Sequence, residues 1–329
     1  MSGSGGGAPL VSVIVLSWNS RRFLEGCLSS VREQAWPNVQ LIVVDNASSD
    51  GSASYVRAAF PEALVVENPE NLGFCAGNNA GLRLAEGAYI LFLNPDATLS
   101  RTFIEEAIAP FGADARIGMV AGKVTRFGGE ILDTAGQILT RGRRIRERGY
   151  GEPDHGQFDR PGDVFSVCGA VAFYRRELIE SVAINGEFFD EDYFAFGEDL
   201  DVAWRARNMS WRCWYQPSAL ARHCRGGSQT HPAQASWLGR HEMTRRPPAI
   251  QAHIIKNRYL TMLKNESAAS FVVNLPFILA WDLVLWSWLI LFAPRTLPIL
   301  WGHRGLMRRA LDKRRALRAL GALRAVPEA

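Results

Sequence analysis

Apolar and polar positions come in alternating blocks along the first hundred residues. Residues 10–16 form a near-continuous apolar, β-branched run closed by Ser17, Trp18 and Asn19. The segment that follows carries Phe23, Leu24, Leu28 and Val31 at helical spacing, so the start of the chain reads as strand, loop, helix. Leu41, Ile42, Val43 and Val44 make a second buried strand, ended by Asp45 and Asn46 and by the turn-forming run Ser48, Ser49, Asp50, Gly51. A third strand is predicted over 63–67 and a fourth over 89–93, the latter ended by Asn94, Pro95 and Asp96. Strands rich in Val, Ile and Leu, separated by helical segments, predict an α/β domain whose parallel sheet is covered on both faces. Ligands bind beyond the C-terminal ends of such strands.

Polar groups stand at those ends. Asn, Asp and Pro are ordinary turn residues, but the gathering of Asp45, Asn46, Asn94 and Asp96 at one sheet edge favours a site over a set of turns. Between them, residues 68–79 form a polar, Gly-containing loop leading into a helix over 80–85, and its amides and helix start are suited to phosphate. It is neither the GxGxxG fingerprint nor a Walker A loop.

A second candidate site lies further along the chain. Glu198, Asp199 and Asp201 follow Phe188, Phe189, Tyr193, Phe194 and Phe196. Desolvation and neighbouring charge tune a carboxylate set against aromatic walls for proton transfer, whereas an acidic first turn of a helix is the purely structural alternative. His223, between a strand-like run at 211–215 and Arg225, reads as a ligand or as a satisfied structural histidine. Residues 141–148 carry Arg141, Arg143, Arg144, Arg146 and Arg148. Both a solvated hairpin and a pyrophosphate clamp fit them, because the arginine fork matches phosphate oxygens.

With 329 residues, 47% hydrophobic and 21% charged, the chain can bury a full core. A net charge of +4 gives no reason to expect a nucleic-acid partner. Arg304, Arg308, Arg309, Lys313, Arg314, Arg315, Arg318 and Arg324 nevertheless crowd the last quarter, which suits an anionic surface such as lipid. Five cysteines without CxxC spacing point to a reducing compartment. Residues 1–9 read as a flexible leader. Residues 271–292 are almost wholly apolar, with Trp281, Trp286 and Trp288, and are interrupted by Pro276 and Asp282. The stretch is long enough to cross a bilayer, yet basic residues flank both sides. That symmetry favours a monotopic, Pro-broken or interfacial segment over a single pass; a buried soluble helix is the remaining alternative.

Residues 11–19 and 45–51, Asn71-Leu72-Gly73-Phe74, Asn94-Pro95-Asp96, Cys168-Gly169-Ala170, Glu198-Asp199 and His223, in this order, resemble the inverting family 2 glycosyltransferases of GT-A fold. The spacing is similar to the branch containing bacterial rhamnosyltransferases of cell-wall and O-antigen assembly, and the resemblance covers residues 11–228. It implies a nucleotide-sugar-binding half over 10–125 and an acceptor-binding and catalytic half over 126–240; the apolar segment and the basic stretch after it make 241–329 a helical, membrane-associating region.

The resemblance also assigns roles. Asp45 binds the pyrimidine base, and Ser17, Trp18 and Asn19 line the same pocket; Asn46, Asn71, Gly73, Asn78 and Asn94 belong to the nucleotide-sugar site. Asp96 keeps the second carboxylate of the family's DxD, with Asn94 replacing the first, and would hold Mg²⁺ or Mn²⁺ together with His223. Asp199 is the general base and Glu198 its support. Cys168, Gly169 and Ala170 fall on the acceptor side, and the phosphate-clamp reading of the basic run puts Arg143 and Arg144 there too. The implied donor is dTDP-L-rhamnose and the implied acceptor a polyprenyl-diphosphate-linked glycan, at the cytoplasmic face of the membrane. A UDP-hexose donor is the nearest alternative. A sugar nucleotidyltransferase would want a Gly-rich, basic loop after Leu16, which is missing, and a non-catalytic scaffold would leave Asp45, Asp96 and Asp199 together by coincidence.

Overall fold

The computed structural model describes residues 7–225, 243 and 246–319. Most of the expected leader (1–6), the Gly226–Ser228 end of the resemblance and the tail from 320, with Arg324, lie outside the described residues. β1 (Val11–Ser17), α1 (Arg21–Arg32), β2 (Val39–Asp45), α2 (Ser52–Ala59), β3 (Leu64–Glu67), α3 (Gly73–Leu82) and β4 (Tyr89–Leu93) alternate as the hydrophobic pattern predicts. There follow β5 (Ala97–Leu99), α4 (Phe103–Ala113), β6 (Ile117–Arg126), β7 (Leu132–Thr134), β8 (Gln137–Leu139), β9 (Ile145–Glu147), β10 (Gly162–Val164), β11 (Val171–Arg175), α5 (Arg176–Val182), α6 (Glu198–Asn208) and β12 (Arg212–His223). The C-terminal helices are α7 (Pro248–Asn265), α8 (Ala268–Phe292), α9 (Thr296–Gly302) and α10 (Leu306–Ala319).

Among the described residues the main sheet runs β10-β12-β6-β11-β4-β1-β2-β3, with β5 added to β12 and β7 to β6. Its N-terminal half is parallel, and the register sets Ser17 beside Asp45. Successive residues face opposite layers: Val13, Val15 and Val43 join one buried cluster, while Ile14, Ile42 and Val44 join the other. This is why these strands read as unbroken apolar runs. The other half is mixed, with β11 antiparallel between β4 and β6. The end of β12 turns back along β5 so that His223 pairs with Ala97.

Two boundaries differ from the sequence pattern. The helix expected over 80–85 starts at Gly73, because Gly77 and Gly81 let it lie directly on Leu16, Ile14 and Val44. The strand expected over 211–215 continues to His223 through an irregularity near Gln216.

The C-terminal helices dock on the segment around α6 and the turn before it. In α7, Lys256, Asn257, Thr261 and Lys264 are buried, and α10 returns over it with Ala310, Lys313 and Leu317 buried. α8 is 25 residues long with a mean hydropathy of 1.9 over its most apolar stretch, of which only 11% is buried. The break expected at Pro276 does not occur, and the helix is continuous. It is held on either side of the proline, by Arg141 on Asn274 and by Arg144 over the Trp281 ring at 3.6 Å.

Candidate active site

Two loops close the nucleotide side. Asn19, at φ 50°, accepts the Ser49 amide through its side chain (2.8 Å), and the Asn19 amide donates to Ser48 Oγ (2.9 Å). Asp45, 3% exposed, accepts the Ser48 amide with Oδ2 at 2.9 Å. Its Oδ1 and the Oγ of the fully buried Ser17 have no hydrogen-bond partner. Two unpaired polar atoms on neighbouring strand ends are costly without a ligand. Trp18 stands beside them with its ring half exposed.

The adjoining loop is built differently from expectation. Asn46 accepts from Asn68 Nδ2 and the Leu72 amide, and its own Nδ2 donates to Asn71 Oδ1 and the Gly73 carbonyl. Asn71 in turn accepts the Gly73 amide, Asn78 donates to the Phe74 carbonyl, and the Cys75 amide donates to the Phe194 carbonyl. The Leu72, Gly73 and Cys75 amides expected to face phosphate are thus engaged inside the protein, and the side chains of Asn46, Asn71 and Asn78 hydrogen-bond within it as well. Gly73 is required by close approach: its φ is +79°, and a Cβ there would lie 2.5 Å from the Phe194 ring.

The ends of β4 and β12 meet at the next site. His223 Nε2 lies 3.2 Å from Asp96 Oδ1, and its Nδ1 lies 2.9 Å from Asp133 Oδ2. Asp133, fully buried on β7, is also held by Arg225. Burial alone would lower the imidazole's pKa, but hydrogen bonds and charge from Asp133 and Asp96 outweigh it and raise it to about 9. Asn94 is fixed by its backbone, the amide donating to the Ala170 carbonyl at 2.8 Å.

From Ala170 the chain leads back two residues to Cys168 and across to Asp199. The Gly169 amide donates to Asp199 Oδ2 at 3.3 Å, Gln137 Nε2 donates to the same oxygen at 2.8 Å, and the Leu200 amide donates to Oδ1. Burial raises the Asp199 pKa, and these donors oppose the rise. Glu198, beside it, is pushed up to about 8 by burial and by the Asp199 charge, and its Oε2 has no partner. Asp199 thus receives three donors that favour its charged form, whereas Glu198 Oε2 receives none. A Cβ on Gly169 would come within 3.3 Å of Glu198 Oε1, so this glycine lets the strand pass close to both acids. The Cys168 thiol is held far above its ordinary pKa by burial and is no nucleophile.

The turn that presents these acids is strained, with Phe194 at φ 64° and Phe196 at φ 74° before the left-handed Gly197. It is held from α7: Asn257 Nδ2 donates to the carbonyls of Tyr193, Ala195 and Phe196, and Lys256 Nζ donates to the Asp192 carbonyl at 2.6 Å. Asp201, the third acid of the cluster, is fully buried and bound by Arg205 and Lys264, which confines it to packing. Arg143 corrects an expectation: it is buried and engaged by Glu266 and Ser270. Arg144 lies on Trp281. Arg143 is thus committed to Glu266 and Ser270 and Arg144 packs on α8, while Arg141 and Arg146 of the same hairpin are exposed.

Sequence reasoning missed Asp133, Gln137, Glu147, Lys256 and Asn257. None carries a local signal; each gains its meaning only from a distant partner.

The family model for Glycosyl transferase family 2 matches residues 12–183, just over half of the chain. The putative teichuronic acid biosynthesis glycosyltransferase TuaG of Bacillus subtilis is 34% identical over 103 residues, covering 30% of this chain and 41% of that protein. The PGL/p-HBAD biosynthesis glycosyltransferase of Mycobacterium bovis is 26% identical over 179 residues, covering 53% and 62%. The chain therefore spans less than two thirds of the length of either relative. Among solved structures, S. aureus TarS in complex with UDP superposes with a TM-score of 0.59 at 16% identity, covering 95% of this chain and 88% of that one. The mannosyltransferase PcManGT from Pyrobaculum calidifontis, in complex with GDP-Man and Mn²⁺, gives 0.54 at 19% identity, covering 95% and 86%. The fold is GT-A, and the matched residues contain the strand ends that carry Asp45 and Asp96 as well as the segment that reaches Asp199: the chain belongs to glycosyltransferase family 2.

Proposed function

We propose that the protein is an inverting glycosyltransferase that moves a sugar from a nucleoside diphosphate to a glycan acceptor of the cell envelope, with Asp199 as base. One observation carries the reading: residues 168–170 connect Asn94, two residues from Asp96, to Asp199 through the Asn94–Ala170 and Gly169–Asp199 hydrogen bonds. The group on the diphosphate side and the group on the acceptor side are thus set by one short segment. In the reaction the acceptor hydroxyl oxygen bonds to the anomeric carbon as the bond to the diphosphate oxygen breaks on the opposite face. The hydroxyl proton passes to Asp199. Ser17 Oγ and Asp45 Oδ1, otherwise unpaired, meet the polar edge of a pyrimidine.

The Asp96–His223 pair fits a divalent cation. It offers a carboxylate oxygen and an imidazole nitrogen 3.2 Å apart, with Asp133 on the far ring nitrogen orienting the ring, and a cation bound there would displace the proton that His223 Nε2 shares with Asp96. Among the described residues no group of three or more His, Cys, Asp and Glu gathers for a metal, so diphosphate and water oxygens would complete the coordination. Mg²⁺ or Mn²⁺ so bound would neutralise the charge developing on the leaving diphosphate. Resemblance to the rhamnosyltransferase branch favours dTDP-L-rhamnose as donor over a UDP-hexose, and a polyprenyl-diphosphate-linked acceptor.

α8 supports a position in the plane of the cytoplasmic membrane surface. One stripe of it is bound to the domain between Asn274 and Trp286, by Asn274 to Arg141, Asp282 to Arg258 (2.7 Å) and Trp286 to the Tyr259 hydroxyl (2.8 Å), while Leu279, Leu283, Ile290 and Leu291 are exposed. A helix crossing the bilayer would have to carry those polar contacts into lipid. The test is nucleoside diphosphate release from dTDP-rhamnose and UDP-hexoses by the full chain, with a polyprenyl-linked acceptor and anionic vesicles, with and without chelator. Release dependent on acceptor and metal is expected. Release from none of these donors would overturn the donor assignment, and full activity in excess chelator would overturn the metal.

A further inference from the structure

We propose that Gln137 and Glu147 form a positioning pair for the base, the Gln137 carboxamide holding the Asp199 carboxylate in the orientation and charge state that accepts a proton. The inference rests on the reading of Asp199 as base. Gln137 and Glu147 are directly opposite in the β8–β9 hairpin, which puts their side chains on one face. Gln137 is 1% exposed, and its backbone is locked by the Ser166 carbonyl at 2.9 Å and the Phe165 amide at 2.8 Å. Its Nε2 carries two hydrogens and has two carboxylates to give them to, Asp199 Oδ2 and Glu147 Oε1, each at 2.8 Å. The two acids settle which end of the amide is nitrogen, since the reverse orientation would set a carbonyl oxygen against both.

The pair meets a specific need. Asp199 lies among Glu198 and Glu147 in a buried cluster, where desolvation and like charge both favour the protonated acid, and a protonated acid cannot serve as base. A donor to the ionised form opposes that, and Gln137 gives Asp199 one from a fixed backbone. Glu147 Oε1 takes the other hydrogen, so the carboxamide cannot turn away. Three acceptor atoms around the base lack a donor in the protein: Gln137 Oε1, Glu147 Oε2 and Glu198 Oε2. Hydroxyl groups of a bound acceptor sugar supply what they lack. Glu147, pushed up to about 7 by burial against the hydrogen bonds of Thr134 and Gln137, can take a proton on the free oxygen without breaking the Gln137 contact.

The experiment follows the Asp199 carboxyl itself, in full-length protein labelled with ¹³C-aspartate, as the infrared or NMR signal lost in D199N. In Gln137→Leu a donor to the charged form is gone, so the titration midpoint rises by about one pH unit, a tenfold change in proton affinity. The acid limb of nucleoside diphosphate release moves up with it, while nucleoside diphosphate affinity stays unchanged. Glu147→Gln keeps a carbonyl for Gln137 to donate to and removes a negative charge, so the midpoint falls. An unmoved midpoint in a folded Q137L protein, or a midpoint that rises in E147Q, overturns the proposal; should Q137L not fold, E147Q alone decides. D199N turning over near the wild-type rate would remove Asp199 as base and the pair's role with it. D199N inactive with unmoved midpoints would overturn the pair alone.

Discussion

Asp45 and Asp199 stand on different kinds of scaffold. Asp45 ends a central parallel strand, and its surroundings are contributed by the loops after β1 and β2, tied to each other by Asn19, Ser48 and Ser49. Asp199 begins a helix after a strained turn, and it and that turn depend on four distant segments: Gln137 from the β8–β9 hairpin, Gly169 before β11, Cys75 of α3 on the Phe194 carbonyl, and Lys256 and Asn257 from α7. Behind the turn, Lys264 binds Asp190 and Asp201, and Lys313 of α10 binds Asp190 at 2.5 Å. The nucleotide side is a rigid edge made by local chain. The Asp199 side is held in place by α7 and α10, on either side of the apolar α8, so truncation before residue 271 is expected to remove Lys313 from the buried Asp190 and to destabilise this side of the domain.

The comparison breaks most visibly at the base. Asp199→Asn is expected to lower transfer about 10²–10⁴-fold, with donor affinity within a few-fold. Glu198→Gln, which removes an acid held mostly protonated, is expected to cost far less. Single-turnover rates for both decide it, and the reverse order would move the role to Glu198.

Lys264→Met is the next largest effect, on stability instead of chemistry. It leaves Asp190 and Asp201 buried with a partner removed, for an expected loss of about 3–5 kcal/mol in denaturant unfolding. Ser17→Ala on the other scaffold removes an unpaired hydroxyl and is expected to leave stability unchanged or slightly higher. Equal losses at the two positions would erase the contrast between the scaffolds.

A pH dependence sharpens it further. Glu198 has a folded pKa raised to about 8 from an ordinary 4.5. The folded state therefore holds the extra proton between these values, and this contribution to stability falls as pH rises from 4.5 through 8. Glu198→Gln removes that slope, so the Tm difference between variant and wild type should widen in the variant's favour up to about pH 8. A constant difference across this window would show that Glu198 is ionised without penalty.

The smallest effect is expected at the strand end. Asp45→Ala should weaken free nucleoside diphosphate and sugar nucleotide alike, by about tenfold, the worth of one hydrogen bond to a charged acceptor. Calorimetry with both ligands measures it, and unchanged affinity for both would reduce Asp45 to a turn residue.

The alternation of apolar runs and polar strand ends determined the parallel half of the sheet and put Asp45 and Asp96 at its C-terminal edge, because period-two burial and turn chemistry act over a few residues. The same local rules marked the Glu198–Asp199 turn and the 25-residue apolar helix. They were silent on direction and partnership. The Arg143 expectation failed because an arginine in a basic hairpin looks the same in sequence whether its guanidinium meets a phosphate or, as here, Glu266. Asn46 and Asn71 read as ligand residues because the pattern of a polar loop does not reveal that its donors and acceptors satisfy one another. Asp133 beside His223, Gln137 between two acids, and Asn257 under a strained turn were decided by tertiary structure alone, since hydrogen bonds spanning 60 to 90 residues depend on chain packing that no local pattern encodes.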